Sequence, residues 1–217
     1  MPLIYYVLLL LPSLTYPALI VPTRSISIML DPAGDARTPG RTIGDNFERG
    51  ITAQFAQALK EVLEQMGYNL RIVLTRVPNE TIAPLQNANF SNRLNADLFV
   101  SLHCYQEKGQ RPSLYLYYIQ YHPITDMWHK PEQLAFYPYD QAHLLHLSRS
   151  ATLADSIKKS LITSKKLDCK GPFGIPFKPL VGVKAPAIAL EIGLKDKDDW
   201  QSMVPSIAQA ITGVFTP

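Results

Sequence analysis

Three side chains able to carry protons or hold a metal stand where the pattern of elements brings them to one edge of the molecule: Glu48, His103 and Glu191. Imidazole and carboxylate groups are the common general acids, bases and zinc ligands of active sites. His103 directly follows the apolar run Leu98–Leu102, Glu191 lies at the end of the apolar stretch Ala187–Ile192, and Glu48 opens a helical pattern. Each also has a plainer explanation. A first-turn acid such as Glu48 is favoured by the helix dipole alone, and His103 could be a satisfied strand-end histidine. Glu191 is harder to explain that way, because an acid on an apolar strand is costly to bury without a partner. Asp31, at the end of another strand, reads as a carboxylate that orients the following loop. His143 and His146, three residues apart on a helix, could face one metal, but a solvated helix face is the better explanation. Cys104 points away from His103, since neighbours on a strand face opposite sides. Cys104 and Cys169 are either a pair or two half-buried thiols.

The elements that must position these groups follow from periodicity. Residues 25–31 alternate and then turn apolar, as a buried strand does, and the strand stops at Pro32. Asp31 to Gly40 is a loop rich in Gly, Pro and Asp. Phe47, Ile51, Phe55, Leu59, Val62 and Met66 share one face of a helix from about Phe47 to Met66. Asp45 or Asn46 can cap its start, and Gly67 stands where a left-handed residue ends it. Further strands are expected over 70–75, 98–102, 113–119 and 187–192, with helices over 81–95, 143–161 and 203–214. Residues 170–176 read as a Gly/Pro-rich turn, and residues 120–142 as an irregular insert.

Strands alternating with helices predict an α/β fold, a mostly parallel sheet with helices on both faces. Ligands of such sheets bind beyond the carboxyl ends of the strands. That edge is where Asp31, His103, Glu191 and the first turn carrying Glu48 meet.

The same residues carry a family resemblance. Leu30-Asp31-Pro32-Ala33-Gly34, then Glu48, Leu74-Thr75-Arg76, residues 96–103 (Ala-Asp-Leu-Phe-Val-Ser-Leu-His) and residues 186–193 (Pro-Ala-Ile-Ala-Leu-Glu-Ile-Gly) occur in order. With their spacings, these segments resemble the zinc-dependent N-acetylmuramoyl-L-alanine amidases of the Amidase_3 type, from about Ile26 to Phe215. The resemblance implies one zinc held by His, Glu and His with water in the fourth place, the open arrangement of a catalytic zinc. It also implies a glutamate general base acting on metal-acidified water. The substrate implied is peptidoglycan, at the amide joining the lactyl group of N-acetylmuramic acid to L-alanine of the stem peptide. An amidase-activator protein is the further partner to consider.

Position by position, the second ligand falls on Glu48, the third on His103 and the base on Glu191. The first falls on Gly34, which has no side chain. The family's arginine on the next helix corresponds to Asn87, and Cys104-Tyr105-Gln106 stands where an asparagine is usual. Asp35 could replace the lost ligand, as could His122 or His129 of the insert; otherwise zinc binding is weakened or lost. Two functions stay open: a peptidoglycan amidase with a rebuilt or weakened site, and a catalytically silent domain that binds peptidoglycan or regulates a true amidase.

Composition limits the rest. An apolar fraction of 47% over 217 residues suffices for one domain with a full core, and the net charge of +3 is scattered. No basic stripe suggests nucleic acid. The run Leu3–Leu11, followed by Pro12, Ser13 and Thr15, is too short for a membrane span and reads as an export signal over residues 1–22, or as an uncleaved anchor. The amidase-like domain then occupies 23–217 and works in the periplasm or cell envelope, touching a membrane only through that segment.

Overall fold

A computed structural model describes residues 24–83, 85–109, 112–120, 138–163 and 168–215. The expected export segment, residues 121–137 of the insert, and with them His122 and His129, lie outside the described residues. In chain order the elements are β1 (Ile26–Pro32), β2 (Thr42–Ile43), β3 (Asn46–Phe47), α1 (Glu48–Gln65), β4 (Leu70–Leu74), α2 (Gln86–Leu94), β5 (Leu98–Gln106), β6 (Ser113–Ile119), α3 (Leu147–Thr163), β7 (Asp168–Ile175), β8 (Ala187–Leu194) and α4 (Val204–Thr212). Short 3-10 turns at Tyr139–His146 and Asp199–Met203 lead into α3 and α4. Among the described residues, no helix is long and apolar enough to cross a membrane.

Six strands form one sheet in the order β4-β1-β5-β8-β6-β7. The first four are parallel; β6 runs antiparallel to β8, and β7 follows β6 in parallel. The predicted mostly parallel α/β sheet is thus present, with a reversed pair added at one edge. β7 covers the segment that reads as a turn. Its Gly171, Pro172 and Gly174 are tolerated because an edge strand must pair on one side only.

Alternation along β5 decides what faces where. Leu98, Val100, Leu102 and Cys104 point into the core built with α1, α3 and α4, which also holds Phe55, Leu59, Ile157 and Ile207. Phe99 points the other way, into a smaller cluster with Met29, Ala88, Leu180 and Ala189. Ser101 and His103 share that second side. α1 is held by Ile51, Phe55, Leu59 and Leu63, all buried, each contributing roughly 1.5–3 kcal/mol.

Local chemistry shifts several boundaries. α1 starts at Glu48 with no side-chain cap, because the β2–β3 hairpin delivers the chain and backbone carbonyls take over. Glu48 N donates to Arg41 O at 2.8 Å and Arg49 N to Pro39 O at 3.0 Å. Gly67, at φ +75°, follows the helix as expected. α2 begins at Gln86 rather than Thr81: Leu85 is left-handed, and the Ile82 amide is drawn off to Asp35 Oδ2 at 3.0 Å.

Candidate active site

β5 and β8 run past the expected strand ends, to Gln106 and Leu194, so His103 and Glu191 project from within the strands, and there the first turn of α1 meets them. His103 and Glu191 are register partners across β5 and β8. Glu48 reaches over from α1, its Oε1 standing 3.3 Å from His103 Nδ1. Two main-chain amides fix that carboxylate: Cys104 N donates to Oε1 at 3.0 Å and Arg41 N to Oε2 at 3.1 Å. Burial works to raise the Glu48 pKa, but the His103 contact and the two amides outweigh it and hold the group below the usual glutamate range.

Glu191 is held from both sides. The Arg41 guanidinium donates to its Oε1 at 2.5 Å and the Tyr117 hydroxyl to its Oε2 at 2.9 Å. Burial and the bond to Glu191 push the Tyr117 pKa well above the ordinary phenol value. Around them, Tyr117 stacks on Phe177 with centroids 5.3 Å apart, and Phe177 meets the His103 ring edge-on at the same separation.

A polar chain runs from the other side of His103. Its Nε2 lies 3.1 Å from Ser101 Oγ, and Ser101 donates to Asp31 Oδ2 at 3.1 Å. Thr75 and Asn87 donate to Asp31 Oδ1 at 2.7 and 2.6 Å. Burial dominates and raises the Asp31 pKa despite these donors. Asp31 therefore anchors the loop and the strand ends, as its position predicts. Asp31, Asn87, Ser101 and His103 line a cleft of about 820 Å³, which the exposed side chains of Arg37 and Lys178 also border.

Asp35 is placed differently from Glu48, His103 and Glu191. Its Oδ1 accepts from Arg37 N at 2.8 Å, Thr38 N at 2.5 Å and Thr38 Oγ1 at 2.7 Å, and its Oδ2 from Ile82 N. These bonds, the Thr38 hydroxyl first, pull its pKa far below the carboxylate norm. The carboxylate is a loop fastener. Gly34 sits at φ +77°, and a Cβ there would stand 2.8 Å from Arg49 Cβ and 3.1 Å from Pro39 O. The loop is pinned as well: Arg76 donates to the carbonyls of Pro32, Ala33 and Arg49 at 3.0 Å each.

A three-ligand zinc is therefore not what these side chains fit. Among the described residues no group of three His, Cys, Asp or Glu converges as a metal site. Position 34 has neither a donor nor room for one. His146 borders a different pocket, with Asp97 and Pro186, where β5 and β8 begin. Cys104 is buried in the core and Cys169 half-buried, both as free thiols.

Sequence reading overlooks Arg41, Tyr117, Ser101 and Phe177. A signal existed for two of them. Ser101 lies two residues before His103 and so shares its face, and the Tyr/Leu alternation of 113–119 puts Tyr115 and Tyr117 on one side. Arg41 and Phe177 lie in irregular segments and offer none.

Comparison with known proteins gives the family context. The family model described as N-acetylmuramoyl-L-alanine amidase matches residues 28–212. The N-acetylmuramoyl-L-alanine amidase CwlM of Bacillus licheniformis is 28% identical over 92 residues, 42% of this chain. A sporulation-specific N-acetylmuramoyl-L-alanine amidase of Bacillus subtilis is 27% identical over the same length. In both cases the chain spans 36% of the relative's length. The fold is similar to that of the catalytic domain of CwlV from Bacillus (Paenibacillus) polymyxa var. colistinus, with TM-score 0.63 at 19% identity, covering 88% of this chain and 96% of that one. AmiC2 of Nostoc punctiforme gives TM-score 0.62 at 19% identity over 88% and 97% of the two chains.

Proposed function

The chain belongs to the N-acetylmuramoyl-L-alanine amidase family, and from that premise we propose that it acts on peptidoglycan, hydrolysing the amide between N-acetylmuramic acid and L-alanine of the stem peptide. The observation that carries this reading is the convergence of Glu48, His103 and Glu191 at the carboxyl edge of the sheet, beside the cleft. Exposed Arg37 and Lys178 on that cleft suit a polymer rich in carboxylates.

Amide hydrolysis needs a base for water, a donor for the leaving nitrogen and a positive or hydrogen-bonding group at the oxygen that gains charge. Glu191 is the base. Having taken the proton of the attacking water, it passes that proton to the leaving nitrogen. Tyr117 holds its Oε2, Arg41 has further N–H groups for the developing oxyanion, and Glu48 and the Ser101 hydroxyl fix the orientation of the His103 ring.

Gly34 and the engaged Asp35 carboxylate favour a second reading, binding of peptidoglycan without cleavage. Incubation with purified sacculi separates the two, because cleavage creates new L-alanyl amino groups that can be labelled and counted. New termini that disappear in Glu191→Gln support hydrolysis; co-sedimentation with sacculi and no new termini supports binding alone.

Export to the periplasm or cell envelope is part of the same proposal, resting on the run Leu3–Leu11 and on the location of the substrate. A mature amino terminus between Tyr16 and Ser25, found by sequencing protein from its native cell, tests it. An activating partner is proposed as well: the CwlD amidase of Clostridioides difficile, which shares the fold at 18% identity, was solved in complex with the GerS lipoprotein. A rise in sacculus cleavage on adding native envelope extract tests for one.

A further inference from the structure

We infer that Arg41 supplies the positive charge around which this site is organised, and that its guanidinium excludes a divalent cation from the Glu48–His103 pair. The inference goes beyond the proposed reaction and does not depend on which bond, if any, is cleaved.

Two glutamates and a histidine gathered at one edge form an anionic cluster that attracts a cation. Here the cation is part of the chain. Arg41 donates through Nη1 to Glu191 Oε1 at 2.5 Å and through its backbone amide to Glu48 Oε2 at 3.1 Å, so one residue holds both acids. Its guanidinium carbon lies 6.0 Å from the centre of the Tyr105 ring, at the outer reach of a cation–π contact. Partial burial works against the charged guanidinium, but the bond to Glu191 and the charges of Glu191 and Glu48 more than offset it.

The remaining donors are committed too. Glu48 Oε1 already accepts from Cys104 N and faces His103 Nδ1. His103 Nε2 is engaged with Ser101. An incoming ion would have to break these contacts, stand close to a fixed positive charge and do without a ligand at position 34. Each condition weakens binding, and the first two trace to contacts that hold without any ion.

Zinc titration of the full chain tests this, with wild type compared with Arg41→Met and Arg41→Lys. Melting curves check folding, and Arg41→Gln serves if the methionine variant does not fold. Removing the guanidinium charge should tighten zinc binding by about tenfold or more relative to wild type, while Arg41→Lys, which keeps the charge, should stay close to wild type. Zinc should also raise the melting temperature of Arg41→Met more than that of wild type. Equal zinc affinity in wild type and Arg41→Met overturns the inference, and so does a folded Arg41→Met or Arg41→Gln that binds no zinc. Because the readout is metal affinity, failure here leaves the sacculus assay untouched, and an inactive protein can still show the shift.

Discussion

The Ser101 hydroxyl donates to Asp31 Oδ2 at 3.1 Å across the register pair of β1 and β5, and the same oxygen stands 3.1 Å from His103 Nε2. One small side chain thus links the buried Asp31 carboxylate, which anchors the loop after β1, to the His103 ring.

Ser101→Ala should destabilise the protein by about 1–3 kcal/mol, because Asp31 loses a donor in a buried place. The loss should be larger at pH 7 than at pH 4. Burial already makes folded Asp31 bind its proton more tightly than the unfolded chain does, so its contribution falls as pH rises above the ordinary value of 3.8. Removing a donor to the carboxylate steepens that fall. Urea unfolding at the two pH values checks the sign; an equal loss at both contradicts it.

Asp35→Ala should loosen the loop between Asp31 and Gly40, lowering stability by about 1–2 kcal/mol at neutral pH. Here the folded pKa is depressed, so the stabilisation is complete above the unfolded value near 3.8 and fades as pH falls below it. The difference between wild type and variant should therefore shrink in acid. Zinc affinity should change little, since the carboxylate is turned to Thr38 and Ile82.

Restoring the family's histidine at position 34 should fail to create a tight metal site by itself. Gly34→His forces a side chain into a left-handed backbone position whose Cβ would collide with Arg49, and a destabilisation of about 1–3 kcal/mol should follow. Zinc titration and thermal melts of the variant check this. Wild-type stability together with tight zinc binding would show that the loop yields easily.

Tyr117→Phe keeps the stack on Phe177 and removes only the hydroxyl that donates to Glu191. Stability should fall by no more than about 1 kcal/mol. Cleavage of sacculi, where present, should slow by about tenfold or more, as expected on losing one aligned polar contact at a base. Counting new L-alanyl amino groups against a melting curve for the same sample separates the two effects.

The sequence alone determined that Glu48, His103 and Glu191 come together on one side of the sheet. Apolar runs of strand length ending in His103 and Glu191, and a three-to-four residue period beginning at Glu48, carry their own geometry, because side-chain direction is set by local backbone repeat. Gly34 was legible for the same reason: a missing side chain needs no structure to be noticed. The identity of the partners was decided only by tertiary structure. Arg41 finds Glu191 150 positions away, and Tyr117 meets it only because β6 reverses beside β8. Asp35, one step from Gly34, is held by three donors of its own loop and by the Ile82 amide, which satisfy a carboxylate better than a distant site can. Such choices depend on which donors the folded chain brings within hydrogen-bond reach, and periodicity does not encode them.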